Sequence, residues 1–419
     1  MNNFRSRLQS TLMKRGLKVM PVVVVTGARQ TGKTTLVRNL FHDRTRGYFT
    51  LDRLEILEQA KSNPDSLLEA LPVTLDEVQR EPGILLAIKR KVDESRQPGM
   101  ILLTGSANLS LMNSVSESLA GRALYLELPP FCPVEWDSGS PTALAPLESL
   151  FKKDFQTSGW PSLEGNWHSW VLKGGFPSAI ALEKNEDRDL WFSGYVQTYL
   201  ERDLRDIANV GSLSNFQRMM RLAANRAAKL LNLSEIARDS EIPQPTAHRY
   251  MNLLEIGYQI TRVPVFSTNP ISSLVKGRKL LWNDCGLAAW LAGIDSEKNL
   301  KTRTDYGFWL EQAVFQSLQT WRSLDPVKRR IHYWRNRLGH EVDFVLEADN
   351  EIVALEIKSG RTIGQKETEG LRAFKAALGR KKSLIRSAVL YGGQEARSLG
   401  DEMYALPFGW LFPTSETRA

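Results

Sequence analysis

The sequence predicts an α/β protein of more than one domain, in which a parallel sheet alternates with helices and a second α/β region follows. Three observations support this class. The valine run VVVV reads as a buried strand and leads straight into a glycine-rich turn and a helix. Further apolar strands follow at LPVTLD and MILLTG, each ending in polar residues. Towards the C-terminus, three short strands precede a helix and one more strand.

The bulk composition narrows the class of protein. A chain of 419 residues is too long for one ordinary domain, so about two to four domains are expected. No apolar run approaches the roughly 20 residues that a membrane span needs, so we expect no membrane partner. The two cysteines argue against a disulfide scaffold and predict a reducing, cytoplasmic location. The formal charge of +8 permits nucleic-acid binding without requiring it.

The glycine-rich turn after the first strand fits the pattern G-x-x-x-x-G-K-[ST] in full. Its glycines let the backbone turn tightly, so that N–H groups at the start of the next helix can face phosphate oxygens. Lys33 would reach the β- and γ-phosphates of a nucleotide, and the Thr34 hydroxyl would bind Mg²⁺. The alternative is a glycine-rich turn with a chance lysine. The residues predicted to bind ATP here are Gly27, Gln30, Thr31, Gly32, Lys33, Thr34 and Thr35.

The next two apolar strands end in side chains that suit a nucleotide-hydrolysing site. Asp76 would hold Mg²⁺ through a water molecule, and Glu77 would polarise the attacking water. The alternative is a pair of surface acids at a strand end. The strand in MILLTGSAN ends in Ser106 and Asn108, either of which could sense the γ-phosphate, although ordinary turn chemistry also explains them.

Taken together, the segments TGARQTGKTTLV, LDEVQREPGILLAIKRKVD, ILLTGSANLSLM and SLAGRALYLELPPFCPVEW resemble a family of prokaryotic AAA+-like P-loop ATPases. The resemblance continues into LKGGFPSAI and YVQTYLERDL. It matches Asp76 and Glu77 to the Walker B acids and Ser106 to the sensor strand. It matches Arg122 to a recurrent arginine, which would either act in trans on ATP in a neighbouring subunit or form a structural salt bridge.

The same resemblance implies a C-terminal region with a winged helix and a PD-(D/E)XK nuclease-like, or restriction-endonuclease-like, fold. A Ser/Gly/Pro-rich stretch beginning at WDSGSPTALAP marks the most evident boundary. The predicted division is an ATPase domain at residues 1–140, a helical connector at 141–222, a winged helix at 223–285 and a nuclease-like domain at 286–419.

The segment LNLSEIARDSEIPQPTAHRYMNLLEI predicts two helices around a short turn, and extended segments follow at YQITRVPVF and GRKLLWND. This is the order of elements in a winged helix. Ser234 is expected to cap the first helix. Gln244, Thr246 and Arg249, near the start of the second helix, would meet a DNA major groove. Such modules also serve as protein docks, so both partners remain open.

An acidic helix residue followed by a three-strand meander resembles the PD-(D/E)XK nuclease core. Glu311 lies in the predicted helix FWLEQAVFQSLQTW, and Asp343 shares a strand face with Glu341. Glu356 and Lys358 lie side by side on the following strand. By this resemblance, Glu311, Asp343 and Glu356 would hold Mg²⁺, and Lys358 would position a water. The alternative is a hairpin with solvated acids and a structural Glu–Lys pair.

These motifs predict an ATP-binding and ATP-hydrolysing enzyme that acts on or with DNA, coupled to a Mg²⁺-dependent nuclease-like domain. The basic clusters KRRIHYWRNR and GRKKSLIR would line a phosphate-backbone path. One alternative is a nucleotide-controlled switch that binds a protein partner and cuts nothing. Another is a DNA motor that does not cut, which would need a homo-oligomeric ring. The residues predicted to act in catalysis are Lys33, Glu77, Asp343, Glu356 and Lys358.

Overall fold

The chain folds into two compact units. The computed structural model describes residues 4–40, 46–106, 119–140, 142–198, 212–267, 277–378 and 383–413. The first unit consists of Met1–Pro129, Val196–Gly211 and Asn252–Gln259. The second unit consists of Pro130–Tyr195, Ser212–Met251 and Ile260–Ala419. Of the predicted site residues, Asn108 lies outside the described residues, as do residues 379–382 of the second basic cluster.

The first unit is built on a five-stranded sheet with strand order β2-β3-β4-β1-β5, in which every described pairing is parallel. Its strands are β1 (Val22–Thr26), β2 (Gly47–Thr50), β3 (Val73–Asp76), β4 (Ile101–Gly105) and β5 (Ala123–Glu127). Its helices are α1 (Gln9–Leu17), α2 (Lys33–Leu40), α3 (Leu54–Ser62) and α4 (Ile84–Ser95). Because the strands are parallel, the residues that follow β1, β3 and β4 lie along one edge of the sheet.

The valine run forms a central strand that is covered on both faces. Val22 and Val24 pack in one apolar cluster with Ile88 of α4. Val23 packs in a second cluster with Leu36 of α2. Parallel sheets are buried on both faces by their connecting helices, which explains why the strand is apolar at every position. The sequence prediction of a buried parallel strand is therefore confirmed.

The segment Asn252–Gln259 also belongs to the first unit. The hydroxyl groups of Tyr258 and Thr26, the last residue of β1, lie 2.6 Å apart. This segment falls within the range predicted for the winged helix, residues 223–285. The four-part division of the chain remains a prediction.

The second unit contains a six-stranded mixed sheet with strand order β12-β13-β11-β10-β9-β8 and a separate two-stranded sheet, β6-β7. The strands are β6 (Ile260–Val263), β7 (Lys279–Trp282), β8 (Arg329–Arg335), β9 (Glu341–Ala348), β10 (Glu351–Lys358), β11 (Ser383–Tyr391), β12 (Arg397–Gly400) and β13 (Met403–Pro407). The predicted meander is confirmed, since β8, β9 and β10 pair in antiparallel order. Strand β11 then joins β10 in parallel.

Helices pack against this sheet through apolar and aromatic side chains. Phe315 of the helix Tyr306–Ser323 stacks on Phe344 of β9, with ring centroids 6.3 Å apart. Phe374 of the helix Glu369–Leu378 contacts Trp334 of β8 edge to face at 5.3 Å. The other helices that lie wholly or partly in this unit are Pro133–Ser138, Ala145–Ser149, Trp167–Lys173, Pro177–Ile180, Asn185–Thr198, Leu213–Ala224, Leu233–Asp239, Gln244–Ile256, Cys285–Leu291 and Glu297–Thr302.

The first helix of the predicted winged helix is capped by a different residue from the one expected. The side chain of Asn232 accepts a hydrogen bond from the Glu235 backbone N–H at 3.2 Å. Ser234 instead accepts a hydrogen bond from the Gln244 side chain at 3.0 Å. The prediction of Ser234 as the cap was wrong, because an N-cap must precede the first helical residue, which is Leu233.

Asp284 explains the first of the two consecutive glycines in LKGGFPSAI. Its carboxylate accepts the backbone N–H of Gly175 at 2.5 Å and caps the helix Cys285–Leu291 through the N–H of Leu287 at 2.7 Å. A Cβ atom at Gly174 would lie 2.4 Å from the same carboxylate. Burial raises the pKa of Asp284 to about 6. Gly174 therefore makes room for a buried acid, and the backbone of Gly175 donates to it.

Replacing Asp284 by asparagine should remove one pH-dependent component of stability. The folded pKa of Asp284 lies above the ordinary value of 3.8, so its stabilising contribution is complete below about pH 4 and is lost as the pH rises through about 6. As the pH rises from 4 to 7, the free energy of unfolding of Asp284→Asn should therefore increase by about 3 kcal/mol relative to that of the native protein.

All 11 tryptophans lie in the second unit, so denaturation followed by tryptophan fluorescence reports on this unit. Asp295→Asn, at an exposed position, is the matched control. A stability difference between Asp284→Asn and the native protein that stays constant with pH would contradict the assignment.

Candidate functional site

The phosphate loop connects β1 to α2 and depends on backbone conformations that favour glycine. Gly27 has φ of +149° and Gly32 has φ of +92°. A Cβ atom on Gly27 would lie 2.3 Å from the carbonyl oxygen of Leu128, so a larger residue does not fit. Gln30 is left-handed as well, with φ of 62°. The Thr31 hydroxyl closes the turn by donating to the carbonyl of Ala28 at 3.0 Å.

Lys33 lies over the inside of this loop. Its Nζ atom donates to the carbonyl oxygens of Gly27 and Ala28 at 2.9 and 2.8 Å, and the residue is buried. Lys33 and Thr34 are the first two residues of α2, where backbone N–H groups lack partners within the helix and the helix dipole favours anions. Thr35 follows and is exposed. The arrangement suits the binding of phosphate groups.

Asp76 accepts hydrogen bonds from three side chains near this edge of the sheet. It is 2% exposed, and its Oδ2 atom accepts hydrogen bonds from the Thr34 hydroxyl at 2.9 Å and the Tyr48 hydroxyl at 2.6 Å. The Thr104 hydroxyl donates to Oδ1. Burial, followed by the hydrogen bond to Asp76, raises the pKa of Tyr48 above its ordinary value. Asp76 thus joins α2 to the ends of β2 and β4.

The oxygen atoms of this group suit a hard divalent cation. Mg²⁺ is held in nucleotide sites by one or two carboxylates together with phosphate and water oxygens. Thr34 offers a hydroxyl oxygen and Asp76 a carboxylate oxygen, 2.9 Å apart. These residues fit the Mg²⁺ that accompanies a bound nucleotide.

Glu77 is held in an unusual backbone conformation by its neighbours. Its φ is 61°, a left-handed value that is uncommon outside glycine, and its backbone N–H donates to the Thr104 hydroxyl at 3.3 Å. The side-chain amide of Gln79 donates both to the Glu77 carboxylate and to the Ser106 hydroxyl, the latter at 2.9 Å. Gln79 therefore bridges the acid at the end of β3 to the end of β4.

Sequence reasoning missed Gln79, Tyr48 and Thr104. Gln79 and Thr104 lie on or next to predicted strand ends, whereas Tyr48 lies in β2, which the sequence analysis did not predict. Their signal is positional: the sheet order places β2 and β4 on either side of β3.

Arg122 forms a two-point ion pair within the first unit. Its Nε and Nη2 atoms lie 2.6 and 2.8 Å from the two carboxylate oxygens of Asp93 in α4. Its Nη1 atom donates to the Ala120 carbonyl at 3.0 Å. The hydrogen bond to Asp93 is the main cause of a raised pKa of Arg122. The salt-bridge alternative accounts for these contacts, and action on ATP in a neighbouring subunit stays a prediction.

In the second unit, the predicted acids of the nuclease-like core surround a lysine. Lys279, the first residue of β7, is 1% exposed and donates to the Glu311 carboxylate. Its Nζ atom also lies 3.6 Å from Asp343 and 3.7 Å from Glu341. The Lys279 ammonium group therefore forms one hydrogen bond, to Glu311, and two longer ion pairs, with Asp343 and Glu341.

Asp343 and Glu356 have further partners in the cluster. The second oxygen of Asp343 accepts the backbone N–H of Ile357 at 2.8 Å, and Glu356 Oε1 accepts from Lys358 at 2.7 Å. Glu356 Oε2 is buried without a hydrogen-bond partner in the described part of the chain. Asp343 and Glu356 are only 7% and 9% exposed, so these two hairpin acids are not solvated.

Burial and like charges shift the protonation equilibria of this cluster. Burial, followed by repulsion from Asp343, raises the pKa of Glu311 to about 8 and that of Glu356 to about 8. Burial alone would lower the pKa of Lys279, but the surrounding carboxylates, Glu311 first, raise it above its ordinary value. Lys279 therefore carries a positive charge at neutral pH.

As arranged here, the cluster does not fit a divalent metal ion. Among the described residues, no group of three or more His, Cys, Asp and Glu side chains is placed to hold one. Glu311 and Asp343 face an ammonium instead. The metal role of Glu311, Asp343 and Glu356 stays a prediction, as does the catalytic role of Lys358. Sequence reasoning placed Lys279 in a wing; its only signal is a lysine at the start of the apolar run KLLW.

The residues predicted to read DNA lie partly on the surface. Gln244 and Arg249 of the helix Gln244–Ile256 are exposed, whereas Thr246 is half-buried. The antiparallel pair β6 and β7 follows along the chain. The winged helix and its contact with DNA remain predictions.

No helix in the described ranges has the length and apolar character that crossing a membrane requires.

Three protein-family models match successive parts of the chain. Residues 20–136 match the AAA domain. Residues 164–298 match a Domain of unknown function (DUF8612), and residues 306–411 match another (DUF4143). The AAA match covers the phosphate loop, the acidic strand end and the parallel sheet. This part of the chain has a parallel-sheet α/β P-loop NTPase fold and matches the AAA domain, which confirms the sequence prediction for the N-terminal fold.

Two uncharacterized proteins, from Mycobacterium bovis and Mycobacterium tuberculosis, are each 28% identical over 405 residues, which cover 96% of this chain and 83% of theirs. Among solved structures, the Walker-type ATPase of Pyrococcus abyssi is 15% identical with a TM-score of 0.43, covering 69% of this chain and 99% of that one. DnaA of Aquifex aeolicus bound to AMPPCP is 18% identical with a TM-score of 0.29, covering 59% and 87%. The RuvB Holliday junction branch migration motor of Thermotoga maritima is 15% identical with a TM-score of 0.29, covering 61% and 88%.

The hydrogen bonds to Asp76 predict a graded loss of stability in the first unit. Thr104→Val removes the donor to Oδ1, the only one described for that oxygen, and should cost about 1–3 kcal/mol because a buried acceptor loses its partner. Tyr48→Phe removes one of two donors to Oδ2 and should cost less. Hydrogen exchange of the β3 and β4 amides measures both effects locally. A larger loss in Tyr48→Phe than in Thr104→Val would contradict this account of Asp76.

Proposed function

We propose that the protein binds and hydrolyses ATP in its P-loop domain. The single observation that carries the proposal is the contact between the first turn of α2 and the end of β3, where the Thr34 hydroxyl donates to Asp76 at 2.9 Å. Lys33 precedes Thr34, and Glu77 follows Asp76. Phosphate-binding and water-activating groups therefore converge at one edge of the sheet.

Each side chain has a distinct task in this proposal. The backbone N–H groups of the loop and Lys33 bind the phosphates and offset their charge. A Mg²⁺ ion held by Thr34 and Asp76 would supply further positive charge at the phosphates. Glu77 orients the attacking water, and Gln79 keeps the Glu77 carboxylate next to Ser106. Arg122 is engaged by Asp93 in the same subunit, so the proposed hydrolysis does not rely on it.

DNA is the proposed partner of the second unit. The chain carries a formal charge of +8, and Arg330, Arg335 and Arg337 are exposed on and after β8, the strand at one edge of the mixed sheet. Exposed arginines at a sheet edge suit contact with a phosphate backbone. The exposed Arg249 would add a contact near the start of its helix. We do not propose that Asp343, Glu356 and Lys358 cleave DNA, because Lys279 occupies the cluster.

A nucleotide-controlled switch that binds a protein remains the second candidate. The burial of the nuclease-like acids around Lys279 favours it over a cutting enzyme. In that case the second unit would bind a protein without salt-sensitive DNA binding.

Lys33→Ala should lower steady-state phosphate release from ATP by roughly 100-fold or more, since a charge that stabilises the phosphates is lost. Glu77→Gln should lower turnover while ATP binding, measured with a fluorescent analogue, is retained. Lys61→Ala, which removes an exposed lysine of α3, is the matched control. Equal phosphate release by the native protein and Lys33→Ala would overturn the ATPase proposal.

The logarithm of the affinity for labelled duplex DNA should fall linearly with the logarithm of the salt concentration. Arg330→Ala should reduce the slope of this line by about 1. The measurement is fluorescence anisotropy across a series of salt concentrations. Arg218→Ala is the control, because Arg218 is paired with Glu241 at 2.6 Å. An unchanged slope in Arg330→Ala would remove β8 from the DNA path, and the absence of any binding would favour the protein-binding switch.

A further inference from the structure

The buried lysine of β7 occupies the centre of the acidic cluster. Lys279 donates to Glu311 and lies within 4 Å of Asp343 and Glu341, at 3.6 and 3.7 Å. Its Nζ atom also lies 5.5 Å from the centroid of the Phe344 ring, whose face favours a cation. The ammonium is thus surrounded by groups that attract positive charge.

Several of the oxygen atoms that a divalent ion would need already have other partners. Asp343 directs one oxygen towards Lys279 and the other to the backbone N–H of Ile357 at 2.8 Å. Glu311 is bonded to Lys279, and Glu356 Oε1 to Lys358 at 2.7 Å. Hard cations require several oxygen ligands around one point, and here those ligands turn to two ammonium groups.

Glu356 Oε2 is buried and has no hydrogen-bond partner among the described residues. One carboxylate oxygen is too small a ligand set for a protein-bound divalent ion. The same carboxyl group interacts electrostatically with both Lys358 and Lys279, and these positive charges would repel a metal ion. The unpaired oxygen therefore does not restore a metal site.

We propose that Lys279 is the resident cation of this cluster, so that the C-terminal acids hold an ammonium group in place of a catalytic divalent ion. This inference is independent of the proposed ATP hydrolysis, because Lys279 and its carboxylate partners all lie in the second unit. We expect that removal of the Lys279 ammonium would let Glu311, Asp343 and Glu356 turn towards a divalent ion.

The test is Mn²⁺ binding to the full chain without nucleotide, measured from the loss of the free-ion signal in electron paramagnetic resonance. The native protein and Asp343→Asn should bind equal amounts. Lys279→Met, which keeps an unbranched side chain one atom shorter and without its charge, should bind about one further equivalent. That equivalent should disappear in the double variant Lys279→Met/Asp343→Asn. Comparison with Asp343→Asn in each case subtracts any Mn²⁺ held by Thr34 and Asp76.

Lys328→Met is the matched control, because Lys328 is an exposed lysine paired with Asp349 at 3.0 Å. It should bind Mn²⁺ as the native protein does. Lys279→Met leaves buried carboxylates without their cation, so its thermal midpoint should fall, and Mn²⁺ should raise it again.

Two results would overturn the inference. The first is a native protein that binds about one equivalent more Mn²⁺ than Asp343→Asn does, since the cluster would then take a metal with Lys279 in place. The second is a folded Lys279→Met that gains no Asp343-dependent binding. The first comparison does not require Lys279→Met to fold, so it decides the matter even if that variant fails to fold.

Discussion

The buried ammonium of Lys279 is the interaction on which the arrangement of the second unit depends. A charge taken out of water is tolerated only when opposite charges and hydrogen bonds offset its desolvation. Lys279 comes from β7, Glu311 from the helix Tyr306–Ser323, and Glu341 and Asp343 from β9. Moving any of these elements would leave a buried charge without its partner. The cluster therefore fixes the two-stranded sheet β6-β7, the helix Tyr306–Ser323 and the mixed sheet relative to one another.

The first unit also buries a charge, but that charge is negative and its partners are neutral. Asp76 is a buried carboxylate, and its partners are the neutral hydroxyl groups of Thr34, Tyr48 and Thr104. Neutral donors satisfy the acid without cancelling its charge, so Asp76 keeps its attraction for a cation. The carboxylates around Lys279 already have one. This contrast separates a site that suits Mg²⁺ and nucleotide from a cluster whose acids face an ammonium group.

Much of the first unit and the β8–β10 meander could be predicted from the sequence. The valine run, the G-x-x-x-x-G-K-[ST] pattern and the alternation in EVDFVLE and VALEIKSG are local signals, because each depends on residues close together in the chain. The contact between Glu356 and Lys358 followed from strand periodicity alone. The helix cap was assigned to Ser234, which lies two residues after the actual cap, Asn232.

The sequence by itself determined that the protein has a phosphate loop, an acidic strand end and a strand hairpin bearing Asp343, Glu356 and Lys358. Only the tertiary structure decided what those groups contact. Gln79 reaches Ser106 across 27 positions of chain, and Lys279 reaches Glu311 across 32. No periodicity links residues so far apart, because their proximity results from sheet order and from the need to pair every buried charge. That need placed a lysine where the sequence predicted a metal ion.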